Sequence, residues 1–277
     1  MNLKKIITIA SITALTAVFT FAATRSITIK GSDTMVILAQ RWAEEYMKMH
    51  PELSIQVTGG GSGTGISALI NGTTDICNAS RAIKGSERSK LKQRYSSLGV
   101  EVKTAKDGIA LYVNENNSVN ELTLEQIKGI YTGMITNWKD LGGNDEKIIV
   151  YGRDNSSGTY TYFRDAVLKG LDYTPNMQSM PGTAAIVNAI NRDVNGIGYG
   201  GAAFGKGIKY IKVKMDASTE GYAPTVDNVK AGNYPITRYL YMYLKSKPTG
   251  EIKGFIDWIL SDEGQAVVSK VGYFPIR

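Results

Sequence analysis

Three short turns in this chain combine glycine, serine and threonine in the same way, and each directly follows a β-rich run and opens a helical pattern. They are Gly31-Ser32-Asp33-Thr34-Met35, Gly59-Gly60-Gly61-Ser62-Gly63-Thr64-Gly65 and Asp154-Asn155-Ser156-Ser157-Gly158-Thr159. A helix start presents free backbone N–H groups and the positive end of its dipole. Glycine lets an anion approach that backbone, and hydroxyls add further donors, so the chemistry on offer is the holding of an oxyanion. One such turn alone reads as an ordinary cap, since Ser, Thr and Asp are the usual N-caps and Gly the usual turn former. Three together point to a cage. Arg153 precedes the third turn and Arg81 follows the run ending at Ala79 and Ser80, both where strands of an α/β sheet present their carboxyl ends. An arginine there forks onto two oxygens of one anion, or forms an ion pair with a neighbour such as Asp154.

Nucleotide-binding versions of the glycine-rich turn fail on spacing. From Gly60 to Gly65 the phosphate-loop interval fits, but Ile66 stands where the lysine belongs, before Ser67. In the dinucleotide pattern Gly61 and Gly63 are followed by Ile66 at the third glycine position. Catalytic alternatives are short of reagents: the chain has one Cys, Cys77, and one His, His50. That excludes an intrachain disulfide and a Cys/His zinc set, and any His-based triad must use His50. His50 lies before Pro51 at a helix end and Cys77 lies mid-strand, so we read a helix-terminal contact and a buried side chain. No cofactor and no metal are expected, and hydrolysis by an exported phosphatase, which needs metal ligands or a nucleophile with its base, is the weaker alternative.

The elements that position these turns alternate along 277 residues. Strands are expected at 26–30, 54–58, 75–79 and 100–104, with helices between them, the first with Met35, Leu38, Ala39, Trp42 and Tyr46 on one face. A second set follows: strand 109–113, helix 123–131, strand 147–151, helices 159–168 and 184–191, and strand 197–199. Ala105 to Gly108 reads as the crossing between the sets. The β-rich run 238–244, with Tyr239, Tyr241 and Tyr243 alternating, and helical patterns at 251–260 and 263–268 close the chain. This order predicts an α/β fold whose sheet is largely parallel, because parallel neighbours need crossover helices. The C-terminal elements are expected to return to the first lobe.

Met1-Asn2-Leu3-Lys4-Lys5, the uncharged stretch from Ile6 to Ala23 and the Thr20-Phe21-Ala22 end have the layout of a secretory leader cut near Ala22, the alternative being an uncleaved anchor, for which the stretch is just long enough. No Cys follows to take a lipid, so export in soluble form is expected. The leader carries Lys4 and Lys5, so its removal lowers the formal charge from +7 to +5. The remaining Lys and Arg are spread without a basic run, and nucleic acid is not an expected partner.

Taken together, Gly31 to Met35, Gly61 to Gly65, Asp75 to Ile83, Asn137-Trp138, Gly152 to Thr159, Gly196 to Gly200, Ser261 to Gln265 and Gly272-Tyr273 resemble the phosphate-binding proteins of bacterial ABC transporters. The likeness runs through the whole mature chain and is most specific from Arg153 to Thr159. It implies a two-lobed periplasmic binding protein, type II-like, each lobe a mostly parallel sheet flanked by helices. Such a receptor closes on dehydrated phosphate and delivers it to membrane permease subunits, and a monomer is expected. The implied lobes are 23–107 with 235–277, and 108–234. The implied phosphate-binding residues are Ser32, Thr34, Met35, Ser62, Arg81, Arg153, Ser157, Gly158 and Thr159. One departure bears on selectivity: well-known members place an Asp after the serine of the third strand to accept the ligand's proton, whereas Arg81 follows Ser80 here. Losing that carboxylate removes the simplest filter against sulfate, molybdate or tungstate, which are the alternative ligands. Other members share Ser80-Arg81. Asp33 is the nearest substitute acceptor, or else an N-cap.

Overall fold

The computed structural model describes residues 25–205 and 207–276, so the leader expected over residues 1–22 lies outside the described residues. The β-branched run after the leader forms β1 (Arg25–Gly31), followed by α1 (Val36–Met49), β2 (Leu53–Thr58), α2 (Ser62–Asn71), β3 (Ile76–Ala79) and α3 (Gly85–Tyr95). β1 pairs in parallel with β2 on one side and β3 on the other, and α1 and α2 are the crossovers this requires. The expected face of α1 is buried at Leu38, Ala39, Trp42 and Tyr46. His50 ends α1 and stacks on Tyr46, ring centres 4.3 Å apart, and Cys77 is buried in β3. α2 lies so close to β1 that a Cβ on Gly65 would stand 2.5 Å from the Gly31 Cα.

The two strands expected at 100–104 and 109–113 are one strand of 14 residues, β4 (Val100–Val113). The chain continues through β5 (Glu121–Thr123), α4 (Leu124–Thr132), β6 (Ile149–Arg153), α5 (Gly158–Ala166), β7 (Gln178–Met180), α6 (Thr183–Arg192), β8 (Gly196–Gly201), β9 (Lys209–Lys214) and α7 (Val226–Lys230). It ends with β10 (Thr237–Leu244), α8 (Gly250–Ile259) and α9 (Asp262–Val271). Gly108 reads as a break, but β10 pairs antiparallel with β4 from Val100 to Gly108 and holds the whole length extended. A bulge opposite Leu240 leaves Thr104 outside the register, and its hydroxyl bonds the Leu240 carbonyl at 3.2 Å.

The strands run in the order β2-β1-β3-β10-β4-β8-β6-β7, with β9 beside β4 and β5 beside β9. Pairing is parallel within β2-β1-β3 and β8-β6-β7 and antiparallel at β3-β10, β10-β4 and β4-β8. The sheet is therefore mixed at its centre, where β10 returns from the C-terminal region. Two large cores separate across β4. Ala105 belongs with Ile27, Trp42, Leu240 and Phe255. Ile109 belongs with Ile130, Trp138, Phe163 and Tyr199.

Candidate functional site

Three chain segments turn from strand to helix at the same point in space. After β1, Ser32 leads into a 3-10 turn, Asp33–Met35, in which Thr34 and Met35 are buried. After β2, Gly61 leads into α2 at Ser62, and after β6, Ser157 leads into α5 at Gly158. The Ser157 hydroxyl caps α5 by accepting from the Thr159 amide at 3.1 Å and the Tyr160 amide at 3.3 Å. Met35 donates its amide to the Ser32 carbonyl at 3.0 Å. The amides of Ser62 and Gly158 stand at first-turn positions that have no partner within the helix.

Their side chains form one buried cluster. Thr34 Oγ1 and Thr159 Oγ1 are 3.0 Å apart, although the residues are 125 positions apart in sequence. Ser32 donates to Ser80 Oγ at 2.9 Å, Ser62 Oγ lies 3.4 Å from the same oxygen, and the Ser80 amide donates to Ser62 Oγ at 3.0 Å. Gly158 meets this group so closely that a Cβ would stand 2.3 Å from Ser62 Oγ and 2.7 Å from Ser80 Oγ. The glycine-rich turn before α2 also packs on the third turn: the Gly63 amide donates to the Ser156 carbonyl at 2.9 Å. The structure thus brings Ser32, Thr34, Ser62, Gly158 and Thr159 together, with Met35 and Ser157 forming the turns beneath them.

The two arginines named from sequence have different surroundings. Arg153, 1% exposed, ends β6 and donates from Nη2 to Asp33 Oδ2 at 2.5 Å and from Nη1 to Thr183 Oγ1 at 3.3 Å. Its Nε has no hydrogen-bond partner among the described residues. The other Asp33 oxygen accepts the Gly60 amide at 2.8 Å, so Asp33 is a bridge between turns, and Ser32 holds the N-cap position. Arg81 forks onto Glu87, with Nη2 to Oε1 at 2.7 Å and Nη1 to Oε2 at 2.9 Å, and it also donates to the Ala82 carbonyl. Burial works against the Glu87 charge, but the bonds from Arg81 and the Lys84 amide outweigh it and hold this carboxyl below its usual range. The cation at 81 is therefore committed to a carboxylate six residues on.

A third arginine, not Arg81, contacts the hydroxyl cluster. Arg238, on β10, is buried and donates to Asp107 Oδ2 from Nε at 3.1 Å and from Nη2 at 2.8 Å. Its Nη1 reaches the Ser80 carbonyl at 2.9 Å, and Nη2 reaches Thr159 Oγ1 at 3.0 Å and Thr34 Oγ1 at 3.4 Å. Asp107 is fully buried, and burial pushes its carboxyl up by more than the charge and hydrogen bonds of Arg238 pull it down. A signal for this residue does exist in the sequence. Arg238, Leu240 and Met242 share the buried phase of β10, and a charged residue in step with core residues demands a partner.

Residues 20–263 match the model of the PBP superfamily domain, so the chain is of that class. The phosphate-binding protein PstS of Pseudomonas aeruginosa is 35% identical over 265 residues, which cover 89% of this chain and 81% of that one. Among solved structures, a Clostridium perfringens chain assigned as a phosphate ABC transporter substrate-binding protein, with bound phosphate, is 36% identical. It has a TM-score of 0.83 and matches over 91% of this chain and all of its own. An ABC-type phosphate transport receptor from Vibrio cholerae is 32% identical with a TM-score of 0.72, over 90% of this chain and 99% of its own. The chain belongs to the PstS family of phosphate-binding proteins.

Proposed function

We propose that this protein is an exported receptor that captures inorganic phosphate between two lobes and delivers it to the permease subunits of an ABC transporter. The observation that carries the reading is the meeting of three helix starts around the Thr34 and Thr159 hydroxyls, 3.0 Å apart, with buried Arg153 beside them. Hydroxyls, first-turn amides and a guanidinium are all donors to oxygen, and no cluster of metal-ligating side chains occurs among the described residues. The relatives named above are solute-binding proteins. We assign phosphate contacts to Ser32, Thr34, Ser62, Arg153, Ser157, Gly158 and Thr159, whereas Met35, expected as an amide donor, gives that amide to the Ser32 carbonyl and shapes the turn. Arg81, which its place in the sequence offers as a further contact, is bound to Glu87 instead and is not among them. The lobes are 23–107 with 235–277, and 108–234, in support of which the two cores part between Ala105 and Ile109. The receptor works as a monomer in the periplasm after loss of residues 1–22, turns over no substrate and binds no nucleic acid.

The test is titration calorimetry with phosphate on the mature chain and on Arg153→Ala. The wild type binds, and the variant loses about 100-fold or more in affinity, since a forked charge-assisted pair is removed. Unchanged affinity takes Arg153 out of the site. Sulfate binding as tight as phosphate transfers the same cage to the wider class of tetrahedral oxyanions, a reading favoured by the absence of a proton-accepting carboxylate at position 81, where Arg81 pairs with Glu87.

A further inference from the structure

We propose that Arg238, anchored by Asp107, is a second cationic member of the anion site, which holds the Thr34 and Thr159 oxygens in place and so aims a hydroxyl hydrogen of this pair at the ligand. This rests on the capture reading above and concerns how the same site chooses its ligand.

A purely structural ion pair satisfies its arginine with its own acid. Arg238 does more than that. Its Nη2 carries two hydrogens and faces three acceptors: Asp107 Oδ2 at 2.8 Å, Thr159 Oγ1 at 3.0 Å and Thr34 Oγ1 at 3.4 Å. One hydrogen belongs to the carboxylate, and the other is shared by the two hydroxyl oxygens. With Nη1 on the Ser80 carbonyl at 2.9 Å, a single guanidinium touches the turn after β1, the end of β3, the crossing strand β4 and the start of α5. Only a planar fork makes these contacts at once, and a lysine amine does not.

The direction of these bonds sets the chemistry. A threonine hydroxyl has one hydrogen to give and two lone pairs to receive. When the guanidinium occupies a lone pair on each oxygen, neither hydroxyl hydrogen points back at it; one of them joins the two oxygens, 3.0 Å apart, and the other is left for the ligand. The oxygen that receives both the guanidinium and its neighbour's hydrogen has no lone pair left, so it meets the ligand as a donor only. A cage wired in this way favours the form of phosphate with fewer protons. Donor orientation of this kind selects among the protonation states of phosphate and, unlike a carboxylate at position 81, does not exclude sulfate.

The test is calorimetry with phosphate on the wild type, Arg238→Lys, Thr159→Val and the double variant, with a ligand-free melting curve for each. Arg238→Lys keeps the charge and is expected to weaken binding by about 10- to 100-fold, the range for charged hydrogen bonds. In the Thr159→Val background the same change should cost only a few-fold, because the oxygen it orients is gone. Wild-type affinity should rise between about pH 6 and about pH 8, as phosphate loses its second proton, and this rise should flatten in Arg238→Lys. Where Arg238→Lys fails to melt cooperatively, Asp107→Asn, which releases the fork but keeps the arginine, is read in the same way. Affinity unchanged in Arg238→Lys, or losses that simply multiply with Thr159→Val, overturn the proposal while the capture reading stands. A wild-type chain that binds neither phosphate nor sulfate overturns both.

Discussion

A single methyl group placed on Gly158 separates contacts within one lobe from contacts between the two. Gly158 is the first residue of α5 and carries no left-handed backbone angle, so alanine fits the local conformation and is the better helix former. The new carbon would stand 2.3 Å from Ser62 Oγ, 2.7 Å from Ser80 Oγ and 2.9 Å from Ser62 Cβ, against an ordinary carbon contact of about 3.5 Å. Neither serine can swing aside easily, because both are buried and Ser62 Oγ accepts the Ser80 amide at 3.0 Å. Relief requires the start of α5 to back away from α2 by about an ångström. Overpacking of this kind costs about 1–3 kcal/mol, incurred only when the two helix starts meet. Gly158→Ala should therefore lower phosphate affinity by about 5- to 150-fold and leave the ligand-free melting temperature unchanged or slightly higher. The assay is calorimetry paired with ligand-free thermal unfolding. Wild-type affinity would refute the close approach, and a matching drop in melting temperature would show that the methyl clashes within a lobe.

Glu87 gives a pH signature. Its carboxyl is held below the ordinary 4.5, so the ionised Arg81–Glu87 pair contributes stability above that value and loses it as pH falls through the lowered one. The melting temperature of Glu87→Gln should lie below wild type near neutrality, and the gap should close on acidification below about pH 4.5; a constant gap refutes the pairing. Cys77 is buried, and burial pushes its thiol up, so it should resist alkylation in the native protein and react once denaturant unfolds the chain. Rapid native labelling at mildly alkaline pH would place it at the surface instead.

How much of this was legible in the sequence depends on whether a residue's partner is near it in the chain. Trp42 and Tyr46 announce the buried face of α1 by helical spacing alone, and the turn into α5 is readable because Ser157, Gly158 and Thr159 are neighbours. The short strands β5, β7 and β9 and the five-residue α7 were not legible, since three to six residues carry too little period, and the adjacent Tyr210 and Ile211 break the alternation of β9. The continuity of β4 escaped for a different reason. Gly108 is a local breaker, and what overrides it is β10, well over a hundred residues later. Arg81 and Arg238 make the same point at the site. A strand-end position offers Arg81 to a ligand, but Glu87, one helical turn into α3, takes it. Arg238 reaches the cluster only because β10 inserts between β3 and β4.

The arrangement of charge explains why the formal +7 is a poor guide to this protein. Each buried arginine near the cluster already has an acid: Arg153 has Asp33, Arg238 has Asp107, and Arg81 has Glu87. An unpaired buried cation costs several kcal/mol, so these acids are a condition of burying the guanidinium groups. They also fix where the remaining N–H bonds point. A ligand arriving at such a site gains little from net charge, because each cation is matched nearby. It gains from donors already aimed, whose ordering cost was met when the chain folded. In a cage of this type the carboxylates orient from behind the arginines, and the hydroxyls and amides make the contact. The same anion chemistry can therefore survive the exchange of an acid for Arg81.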